Sequence, residues 1–136
     1  AWYGEWTKSA EAATSFDSKT GEFAFATLVD QSDGVAWWLR LYPSDGAYIT
    51  RMPAGRYFPD FIVIDTDGVH WLVETKSDAA AANDLDVAAK KRAAEDWVVA
   101  VNESQSHGVW RYLLVTESNI SQSPNWSALL HAVGVL

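Results

Sequence analysis

Two strand-length apolar runs, "FPDFIVID" (58–65) and "VHWLVETK" (69–76), stand three residues apart and carry Asp60, Glu74 and Lys76 among residues that should form a sheet core. Side chains alternate faces along a strand, so Glu74 and Lys76 project together while Val73 and Thr75 face the other way. The turn decides whether Asp60 joins them. A two-residue Asp67-Gly68 turn sets Asp60 opposite Thr75, on the wrong face. A three-residue loop, Thr66-Asp67-Gly68 with Gly68 left-handed, pairs Asp65 with Val69 and Asp60 with Glu74. The three-residue loop is expected. It places Phe61, Val63, Trp71 and Val73 on one face, and Asp60, Ile62, Ile64, Leu72, Glu74 and Lys76 on the other. Both faces are then partly apolar, as in a sheet covered on both sides.

Directly opposed carboxylates, with Cβ atoms about 5 Å apart, repel unless one is protonated or a cation intervenes. A hard divalent cation such as Mg²⁺ suits the pair, with Asp60, Glu74 and the backbone carbonyl of Thr75 as ligands. Lys76 then lies near an attacking water and the charge developing on a phosphate, which suits phosphodiester hydrolysis. The plainer alternative is an ion pair at an exposed sheet end, because a short D…ExK pattern arises often by chance.

The rest of the chain alternates between helix and strand patterns. "SAEAATSFDSKTGEFAFATLVDQS" (9–32) reads as helical, above all from about Thr20 to Gln31; strands are expected over "VAWWLRLY" (35–42) and around 48–51, and the long helix over "NDLDVAAKKRAAEDWVVAVN" (83–102) with Asn83 or Asp84 as its cap. "VWRYLLVTE" (109–117) reads as a strand. "SPNWSALLHAVG" reads as a last helix with Ser123 at the N-cap, Pro124 at the first position and Gly134 beyond the end. That order gives an α/β fold with a mixed sheet flanked by helices. On the long helix Lys90 shares the inner stripe of Ala94, Trp97 and Val101. An i,i+4 pair with Asp86 explains it equally well. Glu22 shares a stripe with Ala26 and Val29, although a carboxylate near a helix start is common.

Together these stretches resemble a known family. "FPDFIV…WLVETKSD" resembles the PD-(D/E)XK nuclease signature, with Pro59-Asp60 followed by Glu74-Thr75-Lys76. "GEFAFATLVD", "VAWWLRLY", "YFPDFIVID", "WLVETK" and "DVAAKKRAAEDWVVAVN" are similar in order to the C-terminal nuclease domain of type III restriction enzyme Res subunits and related helicase-linked nucleases. The resemblance implies an α-β-β-β-α-β core, Mg²⁺-dependent DNA cleavage with Mn²⁺ able to substitute, and Asp60, Glu74 and Lys76 as the catalytic triad. It adds Glu22 as an accessory metal residue and Lys90 as an accessory catalytic residue. It also implies a fused or associated helicase, translocase or DNA-recognition subunit, and action in pairs (a homodimer) where both strands are cut. Ser77 stands where these relatives often have Gly, and no helicase motor is present in the chain.

The 136 residues make one domain with 49% hydrophobic content, eight Trp and no Cys, so disulfides and thiolate metal sites are excluded. A start at "AWYGEW" without an initiator Met suggests a domain excised from a larger protein. No apolar stretch has the length of a membrane span, and a cytoplasmic location is expected. The net charge of −8 argues against a general nucleic-acid-binding surface. Bound cations or a DNA-delivering partner offset it. Arg51 and Arg56 are the better candidates for DNA contacts; Lys91 and Arg92 read as a solvated face. His70, His107 and His131 share no metal-site spacing. Trp71 and Trp97 are at core phase, and of the adjacent Trp37 and Trp38 one is expected at the surface. Three functions therefore remain: a restriction-type or defence DNA endonuclease, an inert nuclease-fold binding or assembly module, and a repair or junction nuclease.

Overall fold

A computed structural model describes residues 1–45, 49–50, 56–57 and 59–136. The chain opens with a small hairpin, β1 (Trp2–Gly4) and β2 (Ala13–Ser15). A wide helical turn, Lys19–Phe23, then leads into α1 (Ala24–Asp30). Next come β3 (Val35–Arg40), a short pair β4 (Ile49–Thr50) and β5 (Arg56–Tyr57), and the hairpin β6 (Phe61–Asp65) and β7 (His70–Lys76). Helices α2 (Asp78–Asn83) and α3 (Leu85–Ser104) carry the chain across to β8 (Trp110–Thr116), and α4 (Glu117–Gln122) and α5 (Trp126–Val133) complete it. The main sheet is mixed, ordered β3-β6-β7-β8. β6 is antiparallel to both neighbours, and β7 runs parallel to β8, a pairing that requires the long helical crossover. No helix among the described residues is long and apolar enough to cross a membrane.

The hairpin register follows the three-residue loop. Phe61 pairs with Val73, Ile62 with Leu72, Val63 with Trp71 and Ile64 with His70. Gly68 has φ +86°, and the Asp65 N–H donates to the Val69 carbonyl at 3.0 Å. Buried Asp65 clamps the loop: Oδ1 accepts from the N–H groups of Asp67 and Val69, and Oδ2 accepts from Trp71 Nε1. Each face of the sheet is covered. Phe61, Val63, Trp71, Val73, Leu113 and Val115 pack with Phe25 and Val29 of α1 and with α4 and α5. Leu72, Ile62 and Tyr112 pack with Tyr57 and with Ala94 and Trp97 of α3. Trp38 is fully buried and Trp37 is not, as adjacent strand residues require.

Four local features differ from the sequence expectations. Residues 9–18 are not helical: Ala13–Ser15 forms β2 against β1, and helical structure begins only at Lys19, after the Ser18 cap. Ser123 closes α4, and the last helix is capped by Asn125, whose side chain accepts from the Ala128 N–H. Pro124 therefore precedes that cap rather than occupying the first helical position. An Asn cap two residues after Ser competes on equal terms, and here it alone bonds a helical N–H. α2 is additional: Ser77 caps the Ala run that follows it. α4 is additional too, started by a reciprocal Thr116–Asn119 capping box. At the other helix, Asp84 is the cap of α3, accepting from the Asp86 N–H.

Candidate functional site

The parallel strands β7 and β8 end together at Lys76 and Thr116, and the three charged residues of the central hairpin lie at this end. Open α/β sheets place ligands beyond the carboxyl ends of their parallel strands. Asp60 precedes β6 by one residue. Its N–H donates to the Val73 carbonyl and its carbonyl accepts from the Leu41 N–H, so its backbone is fixed between β3 and β7. The preceding Pro59 is buried and has no N–H to donate.

Glu74 is the most deeply buried acid of the group, with its side chain 5% exposed. Lys76 Nζ lies 2.9 Å from its Oε1, and the Tyr57 hydroxyl donates to its Oε2 at 2.8 Å. Tyr57 is in turn 3.2 Å from the Tyr112 hydroxyl. Burial, followed by the charge of Asp60, pushes the Glu74 carboxyl up to about 7 even though Lys76 and Tyr57 both favour its ionised form. Burial alone would lower the Lys76 ammonium, but Glu74 outweighs it and the net displacement is upward. Burial also raises the Tyr57 hydroxyl, so it acts as a neutral donor to Glu74.

The β6–β7 ladder ends at Phe61 and Val73, one residue short of the expected Asp60–Glu74 pair, and the Asp60 carboxylate turns to Thr75, the residue expected on the opposite face. Oδ2 accepts from the Thr75 N–H at 2.9 Å and from Thr75 Oγ1 at 3.2 Å. Oδ1 is 3.4 Å from Arg40 Nη1. Arg40, at the end of β3, is only 5% exposed and joins Asp60 to Glu22. Its Nη2 donates to Glu22 Oε1 at 3.0 Å. Glu22 sits in the wide turn before α1, where Phe23 N–H bonds back five residues to the Ser18 carbonyl; such wide turns recur at functional sites. The same Oε1 also accepts the Asp17 N–H at 2.8 Å. Burial, opposed by that backbone bond and by Arg40, leaves the Glu22 carboxyl raised.

These contacts form two sets that adjoin where Glu74 and Thr75 follow each other in β7: Glu74 with Lys76 and Tyr57, and Asp60 with Thr75, Arg40 and, through Arg40, Glu22. Glu22, Thr75 and Lys76 also line a cleft of about 170 Å³ beside the strand ends. Lys90 stands one step away: its Nζ pairs with Asp86 at 3.4 Å and lies 5.7 Å from the Tyr57 ring centroid. Arg51 and the side chain of Arg56 lie outside the described residues. Lys91 and Arg92 are exposed, as a solvated face requires.

Arg40 and Tyr57 are the residues that sequence reasoning passed over. Arg40 had a signal, because it shares the buried face of β3 with Trp38 two residues earlier. Tyr57 had none, because its partners are set by the return of the chain through β5.

Among the described residues no three His, Asp or Glu side chains converge into a ready-made metal cage. The donor chemistry still fits one hard cation. Asp60 and Glu74 offer oxygen ligands only, and burial, followed by the charge of Asp60, makes ionisation of Glu74 costly unless a further cation is present. Mg²⁺ is commonly held by one or two carboxylates and keeps several waters. Protein-family models, curated proteins and solved structures give no match to this chain.

Proposed function

We propose that this chain is a divalent-metal-dependent DNA endonuclease domain of PD-(D/E)XK type, hydrolysing phosphodiester bonds in a restriction or defence setting. The observation that carries the reading is Lys76 Nζ 2.9 Å from buried Glu74, with Asp60 across the hairpin, at the carboxyl ends of two parallel strands. The order α1, β3, β6, β7, α3, β8 within a mixed sheet flanked by helices is compatible with the α-β-β-β-α-β core that the resemblance implies. Asp60, Glu74 and the Thr75 carbonyl would hold Mg²⁺, with Mn²⁺ as substitute. When bound, the cation polarises the phosphate and acidifies a water.

The protein groups do the remaining work. Thr75 fixes one Asp60 oxygen through two hydrogen bonds, and Tyr57 fixes one Glu74 oxygen. Both carboxylates are thereby oriented before substrate arrives. Lys76 is held protonated by Glu74, and its ammonium donates to the attacking water or to the charge growing on phosphate. Glu22, the accessory metal residue of the resemblance, is bonded to Arg40, and Lys90, paired with Asp86 beside the Tyr57 ring, would contact the phosphate. DNA is delivered by a fused or associated helicase, translocase or recognition subunit, which answers the net charge of −8. Pairing of two such domains would cut both strands.

One observation favours a second reading, an inert binding module. Arg40 and Lys76 already balance carboxylates that a nuclease would present to metal. Plasmid and single-stranded DNA incubated with Mg²⁺ or Mn²⁺ separate the two. Cleavage by wild type that falls about 10²- to 10⁴-fold in Lys76→Ala and in Asp60→Ala supports the nuclease. A wild type that stays inert even when fused to a DNA-binding domain establishes the module, and equal cutting by Lys76→Ala removes the assigned mechanism.

A further inference from the structure

We infer that Arg40 is a built-in cation that takes the place of a second metal ion, so that the site admits one divalent cation and Glu22 is not a ligand to it. This inference rests on the metal-dependent reading above. The Arg40 guanidinium lies between Glu22 Oε1, 3.0 Å from Nη2, and Asp60 Oδ1, 3.4 Å from Nη1. An ion bridging those two carboxylates would need the space that this guanidinium fills.

The guanidinium is fixed from every side. Nη1 also donates to the carbonyls of Leu41 and Asp60, each at 3.0 Å. Its carbon lies 5.3 Å from the Tyr42 ring centroid and 5.5 Å from that of Phe61. Asp17 Oδ2 adds a longer contact at 3.8 Å from the solvent side. Arg40 Nε is buried without an acceptor among the described residues, so carboxylates and backbone carbonyls reached through the two Nη atoms set the position. A guanidinium does not deprotonate in proteins, so its charge is permanent.

Charge balance leads to the same count. With Glu74 ionised, as metal binding requires, three largely buried carboxylates, Glu22, Asp60 and Glu74, face two resident cations, Arg40 and Lys76, leaving a single negative charge; Asp17 lies out in solvent. One divalent cation converts this to a single positive charge, suited to a phosphodiester anion. A second would leave three positive charges in a largely buried cluster, where like-charge repulsion is weakly screened.

Titration of Mn²⁺ into the metal-free full chain by calorimetry tests the proposal without any cleavage readout. The wild type should bind one ion. Glu22→Gln should bind one ion with an affinity within about threefold of wild type, because the amide oxygen keeps both hydrogen bonds that Oε1 accepts. Asp60→Asn should weaken binding more than about tenfold. Folded Arg40→Met should gain a second ion in the vacated position. That variant removes a buried cation from three carboxylates and is prone to unfold, so the decision rests on Glu22→Gln. Two ions in the wild type, or a tenfold loss in Glu22→Gln, would overturn the inference and leave the nuclease reading standing. No Mn²⁺ binding by the wild type overturns both.

Discussion

Tyr57 shows how a neutral side chain tunes a charged one. Its hydroxyl donates to Glu74 Oε2 at 2.8 Å inside the sheet–helix layer, and that hydrogen bond favours the ionised carboxylate against the burial that opposes it. Tyr57→Phe keeps the ring, and with it the packing on Leu72 and Ala94, but removes the donor. The Glu74 carboxyl should then rise above about 7. Proton and metal compete for the same oxygens, so Mg²⁺ affinity near neutral pH should fall roughly tenfold, equivalent to about 1.4 kcal/mol. Raising the pH should restore most of it. Calorimetric titration of Tyr57→Phe across pH checks this; a loss of affinity that is the same at every pH would assign Tyr57 a packing role instead.

At the scale of elements, the central hairpin decides the site because its register decides which residues face each other. That register was legible from Thr66-Asp67-Gly68 and the alternation on either side, and the stripe carrying Lys90 and the Asp84 cap of α3 were legible for similarly local reasons. The elements that escaped are short: three-residue β1 and β2 offer too few positions for an alternating pattern, and six-residue α2 and α4 are shorter than two helical turns. Arg40 escaped for another reason. A single Arg on a strand is ordinarily a surface residue, and only the placement of Glu22 in the wide turn before α1 reveals why this one is buried. The hairpin itself leans on Asp65, which accepts from two loop N–H groups and from the buried indole of Trp71. Asp65→Ala should leave that indole N–H without its acceptor and cost about 2–4 kcal/mol in urea denaturation. It should also weaken Mg²⁺ binding, because Asp60 and Glu74 keep their alignment only while the loop holds the register. Full metal affinity in a destabilised Asp65→Ala would show that the strands alone fix the pair.

For the molecule as a whole, one proton links stability to the site. The Glu74 carboxyl is held at about 7 in the folded protein against an ordinary 4.5. Between those values the folded chain keeps a proton that the unfolded chain has released, so folding is favoured by acid and stability falls as pH rises. Glu74 therefore contributes fully below about pH 4.5, and that contribution, on the order of 3 kcal/mol, is lost as pH rises through about 7. Lys76 does not offset this, because its upward displacement affects stability only in the alkaline range above the pKa of a free lysine. Urea denaturation of the metal-free chain should thus show a component that decreases from about pH 5 to about pH 8, and Glu74→Gln should lose the Glu74 share of it while keeping that of Glu22, whose carboxyl is also raised. Mg²⁺ should act in the opposite sense. The ion needs the ionised carboxylate, so its stabilising increment, about 2.7 kcal/mol at a hundred times Kd, should be small near pH 5 and full near pH 8. A metal increment independent of pH, or one retained in Glu74→Gln, would place the ion elsewhere in the molecule. A pH-dependent increment that disappears with Glu74 would tie the residue that limits metal-free stability to the residue that binds the ion.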